Sequence, residues 1–546
     1  MTLFQPGGPE RFAHQKRGLQ KMIATGGKAA LLFDPGTGKT ATTLDYCSLL
    51  ALKSSSGEAR VLVVCPLAAV DTWVQQAELF VSPQVHVWAE ALGGSIEQRG
   101  LALASRGGNS FNDTWQPGDK VAQRAVGVRN SWAWYARGSE QRTQPITITE
   151  GPDGLGDDKP RLIIEVLNID TFTSRRTHGS GTMADFMVKA VRRYRPDLVV
   201  VDESHKIKSA QGNASRLLAR IARDVPRRVI LTGTVMPHSP LDVFGQWRFL
   251  DPYAFGRTLK DGTLKQSTYT DFRNRYAVMG GYMGYQVTGY RNLDDMKQVM
   301  SRNASVARKA DALDLPPTMD VEVPVELSPA EKKAYNEMKS TLATTVTTGT
   351  VSVPNMLTQM LRLRQITSGY LPDDSGANHI LGTSKVSTID SIVHDNLAGE
   401  KRIVVFALFT QEIEMLTRKL ARPDTEVMVI TGGTSGEDRM AMRKRFGDPG
   451  VEQRIVMIAQ IKTMSLAVNE LVTANHCIFA SLSHQRDDLI QARDRLNRIG
   501  QTRPVTFWYA LAPGTVDTVI MQSHRDRTDL ENAMLHHIMN EEKENR

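Results

Sequence analysis

Residues 28–53 read KAALLFDPGTGKTATTLDYCSLLALK, a short apolar run, a turn with glycines at 36 and 38, and a segment of helical character. Strand, glycine-rich turn and helix in that order make a phosphate-binding unit. Glycine lets backbone N–H groups crowd around phosphate oxygens, and the helix start adds its positive end. Pro35, Gly36, Thr37 and Gly38 form the turn, Lys39 supplies a charge for the β- and γ-phosphates of a nucleotide such as ATP, and Thr40 offers a hydroxyl to Mg2+. The full pattern wants a further glycine at position 33, where this chain has Phe33.

Working outward, short apolar runs recur at 61–66 (VLVVCP), 162–169, 198–203 and 228–234. Strands this apolar are buried on both faces, as in a parallel sheet covered by helices. The second half repeats the style at 402–407, 426–431, 454–459, 476–481 and 505–510, with helical segments such as 410–421 between. Its opening helix is marked by Ser328 as cap, Pro329 at the first helical position and Glu331 to complete a capping box. The expected fold class is α/β, two mostly parallel sheets covered by helices. The expected boundaries are 1–255 for the first lobe, with an insertion at about 92–160, 256–320 for a connector and 321–546 for the second lobe.

At 546 residues the chain is too long for one ordinary core. Its net charge of +8 suits a polyanionic partner without establishing one. Cys47, Cys65 and Cys477 are the only cysteines and lie far apart, which argues against a disulfide framework or a zinc site and for a reducing compartment. With no signal peptide and no apolar run of membrane-spanning length, a cytoplasmic protein without membrane contact is expected. The 92–160 stretch holds Trp115, Trp132 and Trp134, so it reads as an ordered insertion. Tyr276, Tyr282, Tyr285 and Tyr290 sit among glycines and arginines, and a hairpin packing its own aromatics is favoured over a base-stacking surface.

The stretch 198–209, LVVVDESHKIKS, sets Asp202 and Glu203 at the end of an apolar run. Alone, such a pair is more often a solvated strand end. Beside the phosphate-binding unit it completes a reaction, with Asp202 holding Mg2+ through water and Glu203 orienting or deprotonating the attacking water.

With these residues in place, the chain resembles the Swi/Snf-type DNA-dependent ATPases of helicase superfamily two. DPGTGKT (34–40) is similar to the family's first motif, which lacks the leading glycine. DESH (202–205) resembles the DExH box, LTGT (231–234) the third motif, and QARDRLNRIGQ (491–501) the family's QAxDRxHRIGQ. The resemblance implies two RecA-like lobes. It implies that Gln15 in FAHQKRGL (12–19) recognises adenine, that VVCPLAAVDTW (63–73) meets the DNA backbone, and that His205, Thr232, Gly233, Thr234 and Gln491 couple the nucleotide to the cleft. It further implies that Arg495 and Arg498 reach across to the γ-phosphate as arginine fingers.

Two stretches depart from the family. The third motif usually continues LTGTPxQN but here reads LTGTVMPHSP. The fifth, usually GGxGxNL, reads MSLAVNE, keeping Asn469 with Met464, Ser465 and Ala467 at glycine positions.

The function so implied is an ATP-dependent translocase or remodelling motor that hydrolyses ATP, with Mg2+ as cofactor, on double-stranded DNA held through its backbone. The alternatives are a strand-separating helicase or motor subunit of a repair or restriction complex, and a nucleotide-gated DNA-binding module with little turnover. A bacterial or phage origin, a monomer, and a protein partner in replication, recombination, repair or defence are the accompanying expectations.

Overall fold

The computed structural model describes residues 4–106, 159–173, 177–178, 181–281, 284, 286–347, 353–373, 375–461, 470–498 and 500–526. Most of the expected insertion with its three tryptophans, Tyr282, Tyr285, the altered fifth motif up to Asn469, and the C-terminal tail from 527 lie outside the described residues. The chain forms two compact units that divide between Ala312 and Leu313.

The first unit is built on seven strands: β1 (Lys28–Phe33), β2 (Glu58–Cys65), β3 (His86–Ala91), β4 (Arg161–Asn168), β5 (Leu198–Asp202), β6 (Arg227–Leu231) and β7 (Ala304–Ala307). They lie in the order β7-β1-β6-β5-β2-β4-β3, and every pair is parallel. Alternate residues serve two cores. Leu198, Val200, Val229 and Leu231 pack with helices α1 (Ala13–Ala24), α2 (Lys39–Leu52) and α3 (Val70–Phe80). Val199, Val201 and Ile230 pack with α4 (Ile96–Ser105), α5 (Met183–Tyr194), α6 (Asn213–Ile221) and α7 (Val243–Leu250). Burial on both faces is what the continuous apolar runs require.

The 256–320 stretch, expected as a connector, supplies β7, whose Ala304 pairs with Ala30 of β1. It also carries the expected hairpin, Ala277–Gly280 against Gln286–Tyr290, with a register shift between Val278 and Met279. Tyr276 packs away from that ribbon, with ring centroids 4.7 Å from Phe272 and 5.8 Å from Phe255, and its hydroxyl donates to Asp295 at 2.5 Å.

The second unit has six parallel strands: β8 (Thr318–Pro324), β9 (Arg402–Ala407), β10 (Thr425–Ile430), β11 (Arg454–Gln460), β12 (His476–Phe479) and β13 (Val505–Leu511), ordered β8-β13-β12-β9-β11-β10. The helix α8 (Pro329–Thr347) starts as its sequence predicts. The Ser328 N–H donates to Glu331 Oε2 at 2.7 Å, and the Glu331 N–H donates to Ser328 Oγ at 3.3 Å. All three cysteines are buried and unpaired, and no helix among the described residues is long and apolar enough to cross a membrane.

One buried carboxylate sets a pH response. Arg106, at the end of α4, reaches Glu165 of β4 and Glu90 of β3, each at 2.5 Å, while Glu165 Oε2 has no partner. Two acids share one guanidinium, and burial lifts the Glu165 carboxyl to about 8 against the pull of Arg106. A group whose folded value lies above its unfolded one contributes stability at acid pH and loses it as the pH rises through the folded value. Thermal melts are therefore expected to show the first unit losing stability from pH 5 to about 9 through this group. Glu165→Gln should flatten that slope, and an unchanged slope would contradict the assignment.

Candidate active site

The glycine-rich turn leaves β1 and enters α2 at Lys39. Gly36 and Gly38 have φ of 81° and 89°, the left-handed region that costs glycine least. At Gly38 the constraint is also steric, since an added Cβ would lie 1.9 Å from Gln15 Nε2. Lys39 Nζ donates to the Phe33 carbonyl at 2.9 Å, and the Thr37 hydroxyl donates to the Asp34 carbonyl at 2.7 Å. The Asp34 carboxylate is tied to the end of β7 by the Lys309 N–H at 2.8 Å.

The structure brings Gln15 against this turn. Its Oε1 accepts from the Phe12 N–H at 2.9 Å, capping α1, and its Nε2 donates to the Thr37 carbonyl at 3.2 Å. The neighbouring His14 donates from Nε2 to the same carbonyl at 2.7 Å.

The acids stand two strands away, and the sheet register brings them level with the turn. Leu31 of β1 pairs with Leu231 of β6, and Leu231 pairs with Asp202 of β5. Asp202 Oδ2 accepts the Trp73 indole N–H at 2.9 Å, and Oδ1 accepts the Glu203 N–H at 2.9 Å. Glu203 adopts φ 49°, a left-handed conformation uncommon outside glycine, asparagine and aspartate. His205 Nδ1 lies 3.2 Å from Glu203 Oε2 and 3.3 Å from the Thr232 hydroxyl. That hydroxyl donates to the Thr234 carbonyl at 2.9 Å and accepts the Thr234 N–H at 3.1 Å. Gly233 closes the circle, because a Cβ there would lie 2.8 Å from Pro35 Cδ.

The two acids are pushed in opposite directions. Burial, reinforced by the charge of Glu203, raises the Asp202 carboxyl to about 6. Burial acts upward on Glu203 too, but the His205 hydrogen bond and charge, with Lys39 and Lys206, outweigh it and hold that carboxyl below its ordinary range.

In the second unit, Gln491 and Arg495 lie on a helix, Arg486–Leu496, and Arg498 just beyond it, all partly exposed. Between them Arg493 is a structural anchor. Its guanidinium stands 4.1 Å from the Phe507 ring centroid and bonds to Asp320 and the Tyr509 hydroxyl. Gln501 then pins the end of the RIGQ stretch, donating to the carbonyls of Ala474 at 2.9 Å and Val472 at 3.0 Å and accepting the Thr502 and Arg503 N–H groups at 3.0 Å.

The SNF2-related domain matches residues 14–369, and the helicase conserved C-terminal domain matches residues 384–500. The chain belongs to the SNF2-related family.

It is 27% identical over 349 residues to the human DNA annealing helicase and endonuclease ZRANB3, a match covering 62% of this chain and 29% of that protein. It is 24% identical over 339 residues to the zebrafish (Danio rerio) chromodomain-helicase-DNA-binding protein 1-like, covering 60% and 31%. An uncharacterized ATP-dependent helicase of Mycoplasma genitalium is 22% identical over 346 residues, covering 63% and 31%. The chain thus matches only about a third of the length of these curated relatives.

For an SNF2-related chain, the donors at the turn suit Mg2+. The buried Asp202 carboxylate and the Thr40 hydroxyl offer hard oxygen donors, too few for a protein cage. That is how Mg2+ sits when nucleotide phosphates and water complete its shell.

Three residues of the site escaped the sequence reading as site residues: Trp73, His14 and Gln246. Gln246, on α7, is fully buried. Its Oε1 accepts the Ser204 hydroxyl at 2.7 Å, and its Nε2 donates to the carbonyls of Val235 at 2.7 Å and Asp242 at 3.0 Å. It therefore joins the DESH box to the stretch where LTGTV departs from the family. A lone amide within VFGQWRFL was the available signal, because a buried polar group requires partners. Gln246→Leu, similar in volume, should remove the acceptor of the buried Ser204 hydroxyl and cut the link to the 235–242 stretch. A loss of about 1–3 kcal/mol is expected in denaturant unfolding of the first unit, and an unchanged midpoint would refute the bridging role.

Proposed function

We propose that this chain is a DNA-dependent ATPase that couples ATP hydrolysis to movement along, or remodelling of, double-stranded DNA. The observation that carries the reading is the meeting of three loops at one edge of the first sheet, Pro35 against Gly233 and Glu203 through His205 to Thr232. Membership of the SNF2-related family and the net charge of +8 support DNA as the partner.

The roles follow from chemistry. Lys39 and the N–H groups of residues 36–40 receive the β- and γ-phosphates, and Gln15 receives the adenine. Thr40 and Asp202 would hold Mg2+, Asp202 through water, and the ion would supply positive charge to offset that of the phosphates. Glu203, kept ionised at neutral pH, accepts a hydrogen bond from the attacking water and then its proton as the oxygen bonds to the γ-phosphorus, while the bond from that phosphorus to the β,γ-bridging oxygen breaks and ADP leaves with its electron pair. Arg495 and Arg498 offset the charge on the phosphoryl group in transfer, which guanidinium can do because it stays protonated. His205, Thr232, Gly233, Thr234 and Gln491 pass the state of the nucleotide to the DNA-holding surfaces.

A strand-separating helicase is the second reading. It is favoured by the 277–290 hairpin, where Val278 and Val287 are 41% and 39% exposed.

The test is steady-state ATP hydrolysis without nucleic acid and with single-stranded DNA, duplex DNA, forked DNA and RNA. Duplex DNA is expected to stimulate, and Glu203→Gln and Arg498→Ala should each lower the stimulated rate by about a hundredfold or more. Fork unwinding by the wild type would select the second reading. Equal, negligible turnover on every substrate would overturn both.

A further inference from the structure

We infer that Trp73 is a positioning residue for the Mg2+-holding carboxylate, so that helix α3 sets the geometry of the metal site. The inference rests on the ATPase reading above.

Trp73 occupies the first turn of α3, and its ring is 1% exposed, packed in the core beneath β1, β2 and β5. Its indole N–H meets Asp202 Oδ2 at 2.9 Å across 129 residues of chain. The other carboxylate oxygen is taken by the N–H of the next residue, Glu203, at 2.9 Å. A single donor from the carboxylate's own turn leaves its plane free to rotate. A second donor, on the second oxygen and from a separate packed helix, fixes that plane. The lone pairs left to face the nucleotide turn are then chosen by the placement of Trp73.

The indole is well suited to this task. It donates and never accepts, and a ring locked by packing holds its N–H in one direction. The helix that carries it follows the short turn Leu67–Ala69, whose Leu67 is 68% exposed. A surface segment and the metal-facing acid thus share one rigid element, and any displacement of α3 moves the donor relative to Asp202. The rival account is that Trp73 is simply a core residue whose N–H needed an acceptor.

The experiment separates these accounts by binding, without relying on turnover. Affinity of the full chain for a fluorescent ADP analogue is measured in EDTA and at saturating Mg2+, for wild type, Trp73→Phe, Asp202→Asn and the double variant. Trp73→Phe keeps an aromatic ring and removes the N–H donor together with part of the ring volume, and the affinity in EDTA reports any general damage from that lost packing. Its EDTA affinity should stay close to wild type, while the enhancement given by Mg2+ falls about tenfold, the scale of a hydrogen bond to a charged group. In the Asp202→Asn background the same substitution should cause no further fall. An undiminished Mg2+ enhancement in Trp73→Phe, or an equal fall in the Asp202→Asn background, would overturn the positioning role.

Should Trp73→Phe not fold, the wild-type chain still decides. The indole N–H resonance that moves in Asp202→Asn should also move when Mg2+ is added to the nucleotide-bound protein, and a stationary signal would overturn the inference. Failure of the wild type to bind the analogue at all would instead remove the ATPase reading itself.

Discussion

The first unit depends on the parallel pairing of three adjacent strands, β1, β6 and β5, in a register that sets Leu31, Leu231 and Asp202 level. Parallel strands all release their chain at the same sheet edge, so the three loops that follow emerge side by side. Everything chemical in that unit is a consequence. The glycine-rich turn, the paired acids and the TGT turn have no common helix or shared sequence neighbourhood, and the register brings them close enough for His205 to reach Thr232 and Gly233 to pack on Pro35. Both faces of these strands must then be buried to hold the register against slippage, which is why they are almost wholly apolar.

A second constraint is electrostatic. Two adjacent carboxyls cannot both be comfortable as anions in a partly dry site, and the fold resolves this by giving them different partners. Asp202 is buried with only neutral donors on its oxygens, while Glu203 turns through a left-handed backbone conformation toward His205 and the nearby lysines. Environments that push two neighbouring acids apart suit them to different work, which the proposed mechanism gives them as metal ligand and proton acceptor.

Much of the fold was legible because central strands advertise themselves. The runs at 61–66, 162–169, 198–203 and 228–234 correspond to β2, β4, β5 and β6, and all five runs of the second half are strands. The strands of the two large sheets that escaped notice, His86–Ala91, Ala304–Ala307 and Thr318–Pro324, are all at sheet edges. Residues of β3 are half-buried throughout and β8 is largely exposed, so neither needs a continuous apolar run, and β7 is only four small residues long. The 256–320 stretch looked like a connector for this reason, since the strand that ties it to the first sheet carries almost no signal.

The site divides along the same physical line. Motifs whose chemistry is local, the nucleotide turn, the DESH box and TGT, could be read directly, because a glycine turn or a strand-end acid is defined within a few residues. Contacts made across the fold could not. Trp73 meets Asp202 over 129 positions and Gln246 meets Ser204 over 42, and no spacing rule links such pairs. The LTGTV departure illustrates the consequence. In sequence it keeps TGT intact and leaves a gap where the coupling partner of that motif is expected. In the fold a buried glutamine from the next helix spans that gap, satisfying a hydroxyl on one side and a carbonyl on the other. The bond to Ser204 matters most, because in a dry interior a hydroxyl with no partner is costly. One side chain that belongs to neither motif thereby holds the DESH box to the 235–242 stretch.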